Sequence, residues 1–134
     1  MPHPIMFDDD DPVLARVRAA ALALPGAAEK ISHGRPNFFT VKVFATYSGS
    51  LRHGDGRRFP QSILVKPDQG EYPALLQHPR YYEPKYMAPY GWVGIDLAPG
   101  GAPPVDWDEV AELLDMSYRM TAPAKRIREL DGRG

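Results

Sequence analysis

Six basic residues, Lys42, Arg52, Arg57, Arg58, Lys66 and Lys85, share one stretch of the chain with Phe38, Phe44, Tyr90 and Trp92. Cationic side chains attract phosphate, and flat aromatic faces stack on unpaired bases, so this mixture is the composition of a nucleic-acid platform. The charge distribution agrees: residues 30–92 carry nine bases and four acids, a balance of +5, whereas residues 1–29 and 93–134 each come to −3. A basic middle between acidic ends suits DNA or another polyanion. A solvated surface whose charges mix on folding is the plainer alternative.

Other chemistries find less support. His3, His33, His53 and His78 include no i,i+4 pair and no carboxylate at metal-ligand spacing, so no metal site is expected. His33, beside Gly34 and Arg35, is the one histidine in a plausible pocket; with Tyr86 it gives a second reading, a small-molecule or peptide-binding module. Asp106, Asp108, Glu109, Glu112 and Asp115 are explained by helix capping, the helix dipole and a solvated face. Ser32-His33, Ser48 and Ser50 lack a nucleophile elbow, and Gly49, Gly54 and Gly56 form no phosphate-loop fingerprint. With no cysteine, thiolate chemistry, disulfides and iron–sulfur clusters are excluded. No catalytic residue and no cofactor are expected, and the chain does not read as an enzyme.

The elements that must position these residues follow from period and punctuation. Residues 1–10 read as a frayed acidic tail, ahead of a single domain over 11–131. Asp11 caps a helix that Pro12 opens, Val13, Leu14, Val17, Ala20, Ala21 and Leu24 form its apolar face, and Pro25-Gly26 ends it. A short strand at 29–32 leads through a turn at 32–36 into an alternating run to Tyr47, folded by a tight hairpin near 40–42. Its odd set (Phe39, Val41, Val43, Ala45, Tyr47) is expected to face the helices. Its even set (Phe38, Thr40, Lys42, Phe44, Thr46) would face away, except where the turn breaks parity.

Residues 48–60 form a Gly-rich basic hairpin tip. A strand over 62–66 precedes a short helix opened by an Asp68-x-x-Glu71 capping box. The stretch from Tyr81 to Leu97 holds five of the chain's fourteen aromatics. It divides into strand residues at 80–83, a tyrosine-rich segment, and a strand over 92–97. Val93, Ile95 and Leu97 take one side of that strand, with Trp92, Gly94 and Asp96 on the other. Asp106 and Glu109 suggest a capping box and Val105 and Val110 a hydrophobic staple for the C-terminal helix. Pro123 starts a last short one.

The fold class is therefore α+β, a two-layer sandwich of an antiparallel sheet with the N- and C-terminal helices on one face. Phe38, Phe44 and Trp92 would stand on the open face near Lys42 and Lys66, with the 52–58 loop alongside. Alternatively, the 69–78 helix or the 81–90 segment folds over that face as a second small core. The start of the chain has neither the basic nor the apolar region of a secretory signal, and no apolar run reaches the length of a membrane span. A cytoplasmic monomer without membrane contact is expected.

The ordered set ALALPGAAEKISHGRPNFF (21–39), KVFA (42–45), ILVKPD (63–68), YMAPYGWVGIDL (86–97) and VDWDEVAELLDMSYRMTAPAKR (105–126) resembles the MmcQ/YjbR-like family of small bacterial proteins. The likeness spans roughly residues 12–130. It implies a frataxin/CyaY-like α+β sandwich and DNA binding through a double-wing arrangement. Many members carry a lysine and a histidine before the tryptophan, where this chain has Ala88-Pro89-Tyr90-Gly91. The iron chemistry of frataxins does not carry over, because the first helix has no acidic ridge after Asp11.

Overall fold

The computed structural model describes residues 7–48 and 50–133. His3, Gly49 and the first part of the expected 1–10 tail lie outside them. Helix α1 (Pro12–Leu22) begins as its residues dictate: Asp11 has extended backbone and its side chain accepts from Val13 N, with proline at the first helical position. Phe7 packs against the core, and Arg18 pairs with Asp9 at 2.8 Å and with Glu29 at 2.9 Å.

Strands β1 (Ala28–Ser32) and β2 (Arg35–Phe39) form a hairpin around His33-Gly34. Both turn residues have positive φ, 55° and 78°, which a type I′ turn requires and which glycine adopts freely. Strand β3 (Val43–Tyr47) follows, and then a small ribbon of β4 (Ser50–Leu51) and β5 (Arg58–Phe59). The main sheet continues with β6 (Ser62–Val65), β7 (Tyr81–Tyr82) and β8 (Val93–Asp96), in the order β1-β2-β3-β6-β8-β7, antiparallel throughout. Between β6 and β7 lies the short α2 (Tyr72–Leu75), and the C-terminal layer is α3 (Trp107–Thr121) with α4 (Ala124–Asp131). This is the expected α+β arrangement. The main core lies between the sheet and the first and third helices, with Leu14, Val17, Tyr47, Ile63, Val65, Val93, Leu114 and Tyr118 all buried.

Two local expectations fail for identifiable reasons. The register from β2 to β3 pairs Phe38 with Ala45 but Phe39 with Val43, leaving Phe44 as an extra residue on β3. That β-bulge resets the alternation. Phe38 therefore joins Ala45 and Tyr47 in the main core, Phe44 packs edge-on against Tyr118 at 5.5 Å, and Val41 of the odd set is 75% exposed in the turn. The second failure is the capping box of α2. Asp68 Oδ1 accepts from Gly70 N at 2.8 Å in a local turn, and Glu71, at the cap position, makes no side-chain cap bond. The box of α3 forms by half: Asp106 accepts from Asp108 N and Glu109 N, while Glu109 accepts from the Tyr81 hydroxyl at 2.5 Å.

Buried phenols tie the layers together. Tyr47 donates to Asp11, Tyr72 to the Trp92 carbonyl at 2.5 Å, and Tyr118 to the Pro25 carbonyl at 2.6 Å. Burial raises the pKa of Tyr47, Tyr81 and Tyr118 above the ordinary phenol value and pushes Tyr72 up to about 12. A folded state that holds its phenolic protons keeps full stability below about pH 10, where the unfolded chain is still protonated, and loses it above that point. The unfolding free energy from urea titrations is therefore expected to fall as pH rises past 10, by up to about 1.4 kcal/mol per pH unit for each of these phenols, and the midpoints with it. Tyr47→Phe and Tyr81→Phe should flatten the fall. Midpoints that stay level across this range would refute it.

Candidate functional site

On the face away from the helices, cross-strand pairing places Thr46, Leu64, Gly94 and Tyr82 side by side. Phe59 from the ribbon stacks on Tyr82, ring centroids 4.2 Å apart at 19°, and with Leu64 and the half-buried Trp92 they make a second apolar cluster. The open aromatic platform expected on this face is thus replaced by a small core. Its cover is the β4–β5 ribbon, rather than the 69–78 helix. Phe38 and Phe44 are unavailable for stacking because both lie in the main core.

The ribbon is held in place by main-chain bonds to the segment after β7. His53 N donates to the Glu83 carbonyl and Lys85 N to the Leu51 carbonyl, each at 2.7 Å, around an Arg52–Pro84 bridge. Gly54 (φ 104°) and Gly56 (φ 68°) turn the tip in conformations that favour glycine. Consequently Arg52, Arg57, Arg58 and Lys85 are all exposed on one three-segment strip. Arg52 pairs loosely with Asp55 at 3.6 Å, a surface contact of little energetic weight, and the Arg57 guanidinium lies 5.0 Å from the Phe59 ring centre. Tyr86 and Tyr90 are 73% and 71% exposed, and the Lys85 ammonium lies over the Tyr86 ring at 5.3 Å.

Lys42 and Lys66 fall elsewhere. The ribbon joins the sheet after Tyr47 and before Ser62, whereas Lys42 precedes β3 and Lys66 follows β6, at the opposite ends of those strands. Trp92 adjoins that end, since Val93 pairs with Val65. The structure brings together Arg52, Arg57, Arg58 and Lys85, whereas Lys42 and Lys66 lie at the strand ends away from where the ribbon leaves and rejoins the sheet.

It adds Arg35, whose pKa is lowered by burial and by the nearby Arg58 guanidinium. Arg35 lies two residues before Asn37, and Asn37 faces Thr46 on this same side. That strand period is the signal that could have placed it beside the ribbon. The alternative pocket of His33, Arg35 and Tyr86 is not assembled. His33 sits exposed in the turn of the outermost β1–β2 pair, whereas Tyr86 follows β7 at the other edge of the sheet.

Among the described residues no three His, Asp or Glu side chains gather as metal ligands, and no helix is long and apolar enough to cross a membrane. No curated protein matches the chain. The crystal structure of Deinococcus radiodurans protein DR2400, carrying the domain DUF419, is similar to it with a TM-score of 0.61. The two are 20% identical, over 98% of this chain and 92% of that one, a likeness of fold. A family model described as YjbR matches residues 22–120, from the end of α1 through most of α3, and on that match the chain belongs to the YjbR family.

Proposed function

We propose that the protein is a non-enzymatic nucleic-acid-binding domain that uses the β4–β5 ribbon and the 85–90 segment. The observation that supports this most is the main-chain pairing of Leu51–His53 with Glu83–Lys85, which gathers four exposed cations on one strip, with the exposed Tyr86 next in the chain. Cations on a protruding ribbon suit phosphate contact, and Tyr86 and Tyr90 are free to stack on bases. The half-buried Trp92 packs against the small core that the ribbon covers. The same reading has the protein act as a cytoplasmic monomer without a cofactor, on DNA before other polyanions.

The test is binding of labelled single- and double-stranded DNA as salt is varied. Four phosphate contacts predict a slope of log K against log salt of about −3.5 for duplex DNA. Replacing Arg52, Arg57 and Arg58 by alanine should flatten that slope to about −1, whereas Lys42→Ala should leave it unchanged. No binding at low salt, or a slope indifferent to the triple substitution, would overturn the proposal.

A further inference from the structure

On the helix side, at the junction of α1, the loop after β8 and the start of α3, a cavity of about 610 Å³ opens among the described residues. Its walls are mainly apolar, with Val13, Leu97, Val105 and Trp107 prominent. Two arginines, Arg16 and Arg80, line it, and no carboxylate does.

Arg80 is the unusual group. It is only 6% exposed. Its Nε donates to the Pro103 carbonyl at 2.6 Å, and its Nη1 to the Asp96 and Ala98 carbonyls at 3.0 and 3.1 Å. Those three bonds fix the guanidinium plane but supply no negative charge. Among the described residues no carboxylate lies within salt-bridge distance of Arg80, and Nη2 donates no hydrogen bond. Nη2 lies against Gly101, itself a wall residue; a Cβ there would stand 2.6 Å from it. A buried charge without a counter-charge is costly and is ordinarily compensated by a partner. Carbonyl ties alone explain why the side chain is ordered, not what balances it. Arg16 adds a second guanidinium 4.4 Å from the Trp107 ring centre, and among the described residues it too has no carboxylate within salt-bridge distance.

The geometry points to a binding site for a small organic carboxylate with an apolar body. A carboxylate matches the fork of a guanidinium, and apolar walls with a few fixed polar groups are the usual lining of a small-molecule pocket of this size. Phosphate shares the affinity for guanidinium, but its larger charge gains nothing from the aliphatic walls. The site lies on the other side of the sheet from the ribbon and does not depend on the nucleic-acid reading.

Three probes decide it: benzoate, its neutral analogue benzamide, and inorganic phosphate. Each is titrated at millimolar concentration into the full chain while the Trp107 indole and Arg80 Nε–H resonances are followed. Benzoate is expected to shift both, benzamide neither, and phosphate only weakly. Because Arg80 also ties three carbonyls, the charge is varied through the exposed Arg16. Arg16→Ala should weaken benzoate about fivefold, the scale of one partly screened ion pair. The alanine triple variant of Arg52, Arg57 and Arg58 should bind benzoate as the natural chain does. The inference is overturned if benzoate leaves both resonances unmoved or shifts only the ribbon. Equal binding of benzamide or phosphate, or indifference to Arg16→Ala, overturns it too.

Discussion

Replacing Asp11 by alanine is expected to destabilise the fold by about 3 kcal/mol, the sum of a lost helix cap and a buried donor left without its acceptor. Asp11 is 9% exposed, and its carboxylate holds three elements at once. Oδ1 accepts from Val13 N at 2.9 Å and from Gln61 Nε2 at 3.1 Å, and Oδ2 accepts from the Tyr47 hydroxyl. Alanine would strip α1 of its cap and leave the hydroxyl of Tyr47, a residue only 1% exposed, without its acceptor. Part of that loss is offset because a desolvated carboxylate disappears as well. Asparagine keeps an acceptor in place, so Asp11→Asn should cost about 1 kcal/mol. The decisive measurement is a double-mutant cycle with Tyr47→Phe, read by urea unfolding. A coupling of at least about 1 kcal/mol is expected, and additive effects would show that the carboxylate and phenol do not act as a pair.

That residue also marks how far the sequence could be read. The cap and the opening proline were legible because both act within one turn of helix. The link from Asp11 to Tyr47 spans 36 positions and depends on where β3 ends, which no local signal encodes. The β3 parity shows the same boundary more sharply. Alternation from Phe38 to Tyr47 was visible, but one bulged residue, Phe44, moved two phenylalanines from the expected outer face into the core. A bulge is a property of the pairing and not of either strand alone.

At the candidate interface, the arginine-rich loop was legible as a cluster. Its union with Lys85 and its separation from Lys42 and Lys66 follow from strand order and from main-chain bonds between distant segments. Arg80 was the least legible. In sequence it is one more base of the central stretch, and only burial against carbonyls of the 96–103 loop sets it apart from Arg52 or Arg57.

Gly94→Ala is expected to cost about 3 kcal/mol and to loosen the ribbon, because forced overpacking is joined by the loss of an aromatic stack. Gly94 lies in β8 between Leu64 and Tyr82, and a Cβ built on it would stand 2.2 Å from Tyr82 Cζ. The tyrosine ring thus lies over the glycine, filling the space a side chain would take. Phe59 covers that ring from above, and the hydroxyls continue the linkage: Tyr82 donates to Ser62 Oγ at 2.9 Å, which donates to the Phe59 carbonyl at 2.7 Å. Displacing Tyr82 therefore removes both the stack and the hydrogen-bonded tie that seat the ribbon. Tyr82→Ala vacates the space, so on that background Gly94→Ala should add under about 0.5 kcal/mol, a strongly non-additive pair. Amide exchange should report the second consequence, with faster exchange at Arg52 and His53, whose amides bond to the Arg57 and Glu83 carbonyls, while the main core stays protected. If Gly94→Ala unfolds at the same urea concentration as the natural chain, the ring does not sit over the glycine. The ribbon would then owe its position to the main-chain bridge at Arg52 and Pro84 alone.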